Sequence, residues 1–183
     1  MRRNICRTML LGVRPSGRTL FLSGECCDMA VCLIGHREVA DRDRVYSCLF
    51  ATVEKLIREG HSRFLLGSRS DFNSMEVSIL KELKIKYPQI ERVYVRAEYP
   101  DVSDAYRAFL LRSYEDTYYP ESLRSSGRLC YVERNQILID ESTICIFYCD
   151  TSHALVRKRK SGTRIAYDYA TKRGKQIINL CAT

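Results

Sequence analysis

Short apolar runs that end in polar turns alternate along this chain with longer segments whose apolar positions recur at helical spacing. Val31-Cys32-Leu33-Ile34 stops at Gly35-His36-Arg37, and Val45, Leu49, Val53, Leu56 and Ile57 then mark one face of a helix. Gly60 ends that helix, Phe64-Leu65-Leu66 runs into Gly67-Ser68, and Phe72, Met75, Ile79, Leu80 and Leu83 outline a second helix that Pro88 terminates. Val93-Tyr94-Val95 makes a third strand. Strand and helix have by then alternated twice, the pattern of an α/β fold in which helices cover both faces of a mostly parallel sheet.

The segment from Glu98 to Gly127 breaks this regularity with Tyr99, Tyr106, Tyr114, Tyr118 and Tyr119 among charges; it reads as a helix over Ser103 to Tyr114 followed by a loop. Such tyrosines either stack bases or cover a sheet edge. Regularity returns with a helix over Tyr131 to Ile139. Thr143-Ile144-Cys145-Ile146-Phe147-Tyr148, almost wholly apolar, then reads as a central strand buried on both faces. Ser161-Gly162-Thr163 opens a last helix that closes at Gly174, and Ile177-Ile178-Asn179-Leu180 is the final strand, for a total of about five. Residues 1–28, where arginines punctuate apolar pieces without a sustained period, are expected to form a poorly structured extension ahead of one domain over 29–183.

Composition narrows the setting. No apolar run reaches the roughly 18 residues of a membrane span, so no membrane partner is expected. The nine cysteines include no C-x-x-C pair, and Cys32, Cys145 and Cys149 lie in apolar runs as small hydrophobes, which points to a reducing, cytoplasmic compartment. His36, His61 and His153 lack paired-ligand spacing, so no metal is expected. A net charge of +8, half of it carried by Arg157-Lys158-Arg159-Lys160, admits phosphate-bearing partners without choosing between a small nucleotide and nucleic acid.

In open parallel sheets, ligands bind beyond the carboxyl ends of the strands where strand order reverses. The strand at Val31 and the strand at Thr143 to Tyr148 are the candidates to flank that point, which would gather Gly35, His36, Arg37, Gly67, Ser68, Ser161, Gly162 and Thr163 on one rim. A helix start with free N–H groups, two hydroxyls and a glycine is suited to phosphate; taken singly, Ser161 and Thr163 are equally plain N-cap residues.

Taken together, Cys32-x-x-Gly35-His36-Arg37, Gly67-x4-Phe72, Tyr87-Pro88, Arg134-Asn135-Gln136-x3-Asp140, a buried strand and Ser161-Gly162-Thr163 resemble the SLOG superfamily, closest to its YpsA-like branch, over about Met29 to Leu180. The resemblance implies a Rossmann-like three-layer fold and a nucleotide or nucleotide-derived ligand, identity unknown. Arg37, Arg134 and the Ser161-Gly162-Thr163 helix end would hold phosphate, Gly35 and Gly67 would admit the ligand to the backbone, and His36 and Asn135 would supply hydrogen bonds. The superfamily also contains the LOG phosphoribohydrolases and the single-strand-DNA-binding DprA proteins. The departures are Ser68 in place of a second glycine, Asn73 in place of an aspartate, and Ala166 where the LOG enzymes place their glutamate. The expectation is therefore a ligand-binding sensor or regulatory module. The alternatives are an N-glycosidic hydrolase acting on nucleoside monophosphates, using Glu133 or Asp168 as substitute carboxylate, and a single-stranded nucleic acid binder; the tyrosine-rich surface could also support a homo-oligomer.

Overall fold

The computed structural model describes residues 30–67, 69–150 and 160–181. The expected extension over 1–28, Ser68, and Arg157 to Arg159 of the basic run lie outside the described residues.

Among the described residues, six strands form one sheet: β1 (Val31–Gly35), β2 (Arg63–Leu66), β3 (Glu91–Val95), β4 (Asp116–Tyr118), β5 (Ile144–Tyr148) and β6 (Gln176–Asn179). Five described helices accompany them: α1 (Arg42–Arg58), α2 (Asp71–Lys86), α3 (Asp104–Leu110), α4 (Arg128–Asp140) and α5 (Gly162–Lys172). Every strand pair is parallel and the order is β4-β3-β2-β1-β5-β6, so strand order reverses between β1 and β5. This is a Rossmann-like arrangement.

The two-residue period of a strand divides the core into two layers. Val31 and Leu33 of β1, with Phe64, Leu66, Ile144 and Ile146, face α1 and α2 through Leu49, Val53, Phe72 and Ile79. Cys32 and Ile34, with Leu65, Val93, Cys145 and Phe147, face α4 and α5 through Leu138, Ile139, Ala166 and Ala170. β5 is buried at all five positions because it lies between β1 and β6 with helices over both faces. Among the described residues, no helix is long and apolar enough to cross a membrane.

Three details differ from the sequence reading. The sheet has six strands rather than about five because Asp116–Tyr118, in the segment expected to be loop, pairs with β3 at the sheet edge. Three residues with alternating partial burial leave no apolar signature, but Arg92 bonds Glu115 through both side chain and backbone and fixes the register. α3 stops at Leu110 instead of Tyr114, since the chain must turn over residues 111–114 to bring Glu115 to Arg92. α4 starts at Arg128, a turn before Tyr131, behind Gly127 at φ 59°.

Candidate functional site

A cavity of about 1230 Å³ opens on the carboxyl edge of the sheet at the β1/β5 reversal. All nine described members of the sequence-derived set line it: Gly35, His36, Arg37, Gly67, Arg134, Asn135, Ser161, Gly162 and Thr163. Each also has contacts within the fold.

At Gly35 and Gly67 the space a side chain would need is filled by protein. A Cβ on Gly35 would lie 2.2 Å from the Phe72 ring, and one on Gly67 would lie 2.2 Å from Nη1 of Arg134. Phe72 in turn stacks on Tyr148 at 5.6 Å, and the Tyr148 hydroxyl accepts from Ala40 N–H at 3.0 Å, so β5, α2 and the β1–α1 loop are locked together behind the cavity. Gly162 is the opposite case. A Cβ there would meet no heavy atom within 4 Å.

The hydroxyls at the start of α5 are committed to the fold. Ser161 Oγ accepts from Arg164 N–H at 3.1 Å as an N-cap, and the buried Thr163 Oγ1 donates to Gly35 O at 3.0 Å, tying α5 to the end of β1. The open feature is the backbone. An α-helix leaves its first amides without intrahelical acceptors, and those of Gly162 and Thr163 stand at the positive end of an eleven-residue helix. His36 Nε2 accepts from Asp150 N–H at 3.1 Å, so that nitrogen holds the loop after β5 instead of pointing to a ligand. Arg37 is exposed at the lip, where its carbonyl accepts from Asp71 N–H at 2.9 Å.

Arg134 is only 3% exposed. Its guanidinium lies against Gly67, donates from Nη1 to Val95 O and from Nε to Asn135 Oδ1 at 3.1 Å each, and uses Nη2 for no bond among the described residues. Burial lowers its pKa to about 10, against the pull of Tyr94, Cys130 and Glu76, so it stays protonated at neutral pH. Asn135 therefore orients Arg134.

Behind Arg134, on α2, sits a carboxylate absent from the sequence-derived set. Glu76 is 1% exposed; its Oε2 accepts from Asn73 Nδ2 at 3.0 Å, while Oε1 has no hydrogen-bond partner among the described residues. Burial pushes its pKa up to about 7, only partly offset by the Asn73 bond and the Arg134 charge. The sequence signal was its place among Phe72, Met75, Ile79 and Leu83 on the apolar face of α2. Asn73, noted as a departure from the family pattern, donates the neutral hydrogen bond that an aspartate there would not offer.

The far wall was also missed as part of the site. Arg69, Arg96, Tyr99, Tyr106 and Tyr131 line the same cavity, although the tyrosine-rich segment was noticed. The substitute carboxylates are otherwise engaged. Asp168 bridges Lys160 Nζ at 2.6 Å and Arg164 Nε at 2.8 Å, and Glu133 accepts from the backbone N–H groups of Arg124 and Ser125. Ala166 is 1% exposed.

Among solved structures, the chain is similar to DNA processing protein A from Helicobacter pylori, described for its single-stranded DNA binding mode. The TM-score is 0.54 at 13% identity, over 83% of this chain and 65% of that one. The likeness is one of fold. That protein, DprA, belongs to the SLOG superfamily resembled above, and the present chain spans about two thirds of its length. No family model and no curated protein matches the chain.

Proposed function

We propose that the cavity binds a nucleotide or nucleotide-derived phosphorylated ligand and that the protein acts as a sensor or regulatory module of the YpsA-like branch. The observation that carries this reading is the pairing of an unobstructed helix start at Gly162 with the buried guanidinium of Arg134 in one cavity at the strand-order reversal. Oriented amides and a fixed cation attract an anion without needing to reorganise, and a cavity of this size accepts a nucleotide. The six described cysteines are unpaired, which accords with a reducing, cytoplasmic setting.

For a hydrolase of the LOG type, Ala166 cannot stand in for the glutamate, and the two substitute carboxylates are engaged, Asp168 by two bridges and Glu133 by backbone N–H groups, although Glu38, Glu98 and Asp150 also line the cavity. A single-stranded nucleic acid ligand draws support from the DprA likeness and from the arginines and tyrosines of the far wall.

Gly162→Asp tests the main reading. A carboxylate in the first helical turn favours α5 by about 0.3–1 kcal/mol through the helix dipole, yet places negative charge where the phosphate would sit. Thermal stability is expected to hold or rise while titration calorimetry with AMP shows at least a tenfold loss of affinity. Unchanged AMP affinity in a folded variant would refute the site. Affinity for a dodecameric oligothymidylate that falls steeply with salt, with none for AMP, would favour the nucleic acid reading.

A further inference from the structure

The cavity has two chemically different ends, and only one of them is accounted for by phosphate. Along the carboxyl edge of the sheet, Thr163 ties the start of α5 to the end of β1, Arg134 packs on Gly67 at the end of β2, and Tyr99 lies in the loop that follows β3. β1 and β3 are two strands apart, roughly 10 Å at ordinary strand spacing. That is beyond the reach of a phosphate alone.

Tyr99 and Tyr131 stand at this far end, 64% and 40% exposed, on the β3–α3 loop and on α4, and both line the cavity. Neither ring stacks on another ring or carries a cation among the described residues. Tyr106 differs, because it already stacks on Phe109 at 6.3 Å and takes the Arg69 guanidinium over its face at 5.8 Å. The two open rings are nonetheless held. The Tyr131 hydroxyl donates to the Glu98 carboxylate, and Arg96 Nη1 donates to the carbonyls of Tyr99 and Pro100 at 3.0 and 2.9 Å, which fixes the loop carrying Tyr99. Open aromatic faces on an anchored loop and a helix form a stacking platform, and a planar base is the part of a nucleotide that fits one.

We propose that Tyr99 and Tyr131 form a base-stacking subsite, so that the ligand is a base-bearing nucleotide lying along the strand ends, with phosphate at Gly162 and Arg134 and base at the tyrosines. The inference rests on the phosphate site proposed above. Glu98 and Arg96 act as positioning residues for the two rings. The cavity volume of about 1230 Å³ exceeds the roughly 300–1,000 Å³ usual for small-ligand sites, leaving room for more than one nucleotide unit.

The chain has 12 tyrosines and no tryptophan, so quenching of tyrosine fluorescence reports stacking without a tryptophan background. AMP and ribose 5-phosphate, titrated by calorimetry and fluorescence into the wild type and into Tyr99→Ala and Tyr131→Ala, test the proposal. Both positions are exposed enough for the variants to fold. AMP is expected to bind about tenfold or more tightly than ribose 5-phosphate and to quench fluorescence; each alanine variant should lose about tenfold in AMP affinity while keeping its affinity for ribose 5-phosphate, with Tyr99→Phe and Tyr131→Phe near wild type. Equal affinity for the two ligands, or alanine variants that weaken both alike, would overturn the subsite and leave the phosphate site standing. No binding of either ligand would overturn both. Tighter binding of a dodecameric oligothymidylate than of AMP, lost in the same alanine variants, would replace the enclosed nucleotide with an extended single strand.

Discussion

Glu76 should make this protein less stable as pH rises through neutrality, and Glu76→Gln should abolish that loss. Its carboxyl is buried beside Arg134 with one oxygen unpartnered, and its pKa is pushed from 4.5 to about 7. Between these values the folded chain holds a proton that the unfolded chain has released. The stabilising effect of the protonated group is complete below about pH 4.5, falls away through pH 7 and is gone above it. At 1.36 kcal/mol per decade the difference comes to about 3 kcal/mol. Glutamine keeps the shape and can still accept from Asn73, but has no proton to lose.

Urea unfolding followed by far-ultraviolet circular dichroism at pH 5 and pH 8 measures the effect. Every other group contributes equally to both proteins, so the difference between wild type and variant isolates Glu76. The variant's stability relative to wild type should rise by about 2.5 kcal/mol between pH 5 and pH 8, a midpoint shift of roughly 1–2.5 M urea. Parallel curves would refute the reasoning. A variant less stable at pH 8 would show that attraction between the ionised carboxylate and Arg134 outweighs the cost of burial.

Other perturbations have opposite signs or different targets. Glu115 is pulled down to about 2 because bonds from Arg92 and Lys84 outweigh its burial; its stabilisation is present above pH 4.5 and lost as pH falls toward 2, so Glu115→Gln should flatten acid unfolding in that lower window. Gly67→Ala places a Cβ 2.2 Å from Arg134 Nη1 and should lower stability by about 1–3 kcal/mol in thermal melts, with part of the loss recovered in the Gly67→Ala/Arg134→Ala pair. Thr163→Val removes the 3.0 Å bond to Gly35 O while conserving shape and should cost about 1 kcal/mol in urea unfolding.

The fold was legible because its governing pattern is local. Runs such as Val31 to Ile34 and Ile144 to Phe147 announce buried strands, and α1 and α2 carry apolar positions at helical spacing. β4 escaped notice because a three-residue edge strand is defined by its pairing with β3 and by the Arg92–Glu115 contact, neither of which leaves a periodic trace. Placement of the candidate site was legible for a similar reason: glycine-ended strands in a parallel sheet deliver their turns to one edge. The sequence marks the glycines as exceptional but does not show which side chains occupy the space beside them. Gly35 admits Phe72 and Gly67 admits Arg134, pairings across 37 and 67 residues of sequence that no spacing rule encodes. Glu76 hid on an apolar helix face, where a lone glutamate looks like an ordinary polar interruption. The consequence is a division of labour among three glycines: two let protein side chains pack against the backbone so that a cation is buried at the rim, and the third leaves an amide-lined opening where the ligand of that cation would rest. A substitution at Gly35 or Gly67 therefore acts on the site through packing and must register in stability, whereas one at Gly162 acts through the opening itself and need not.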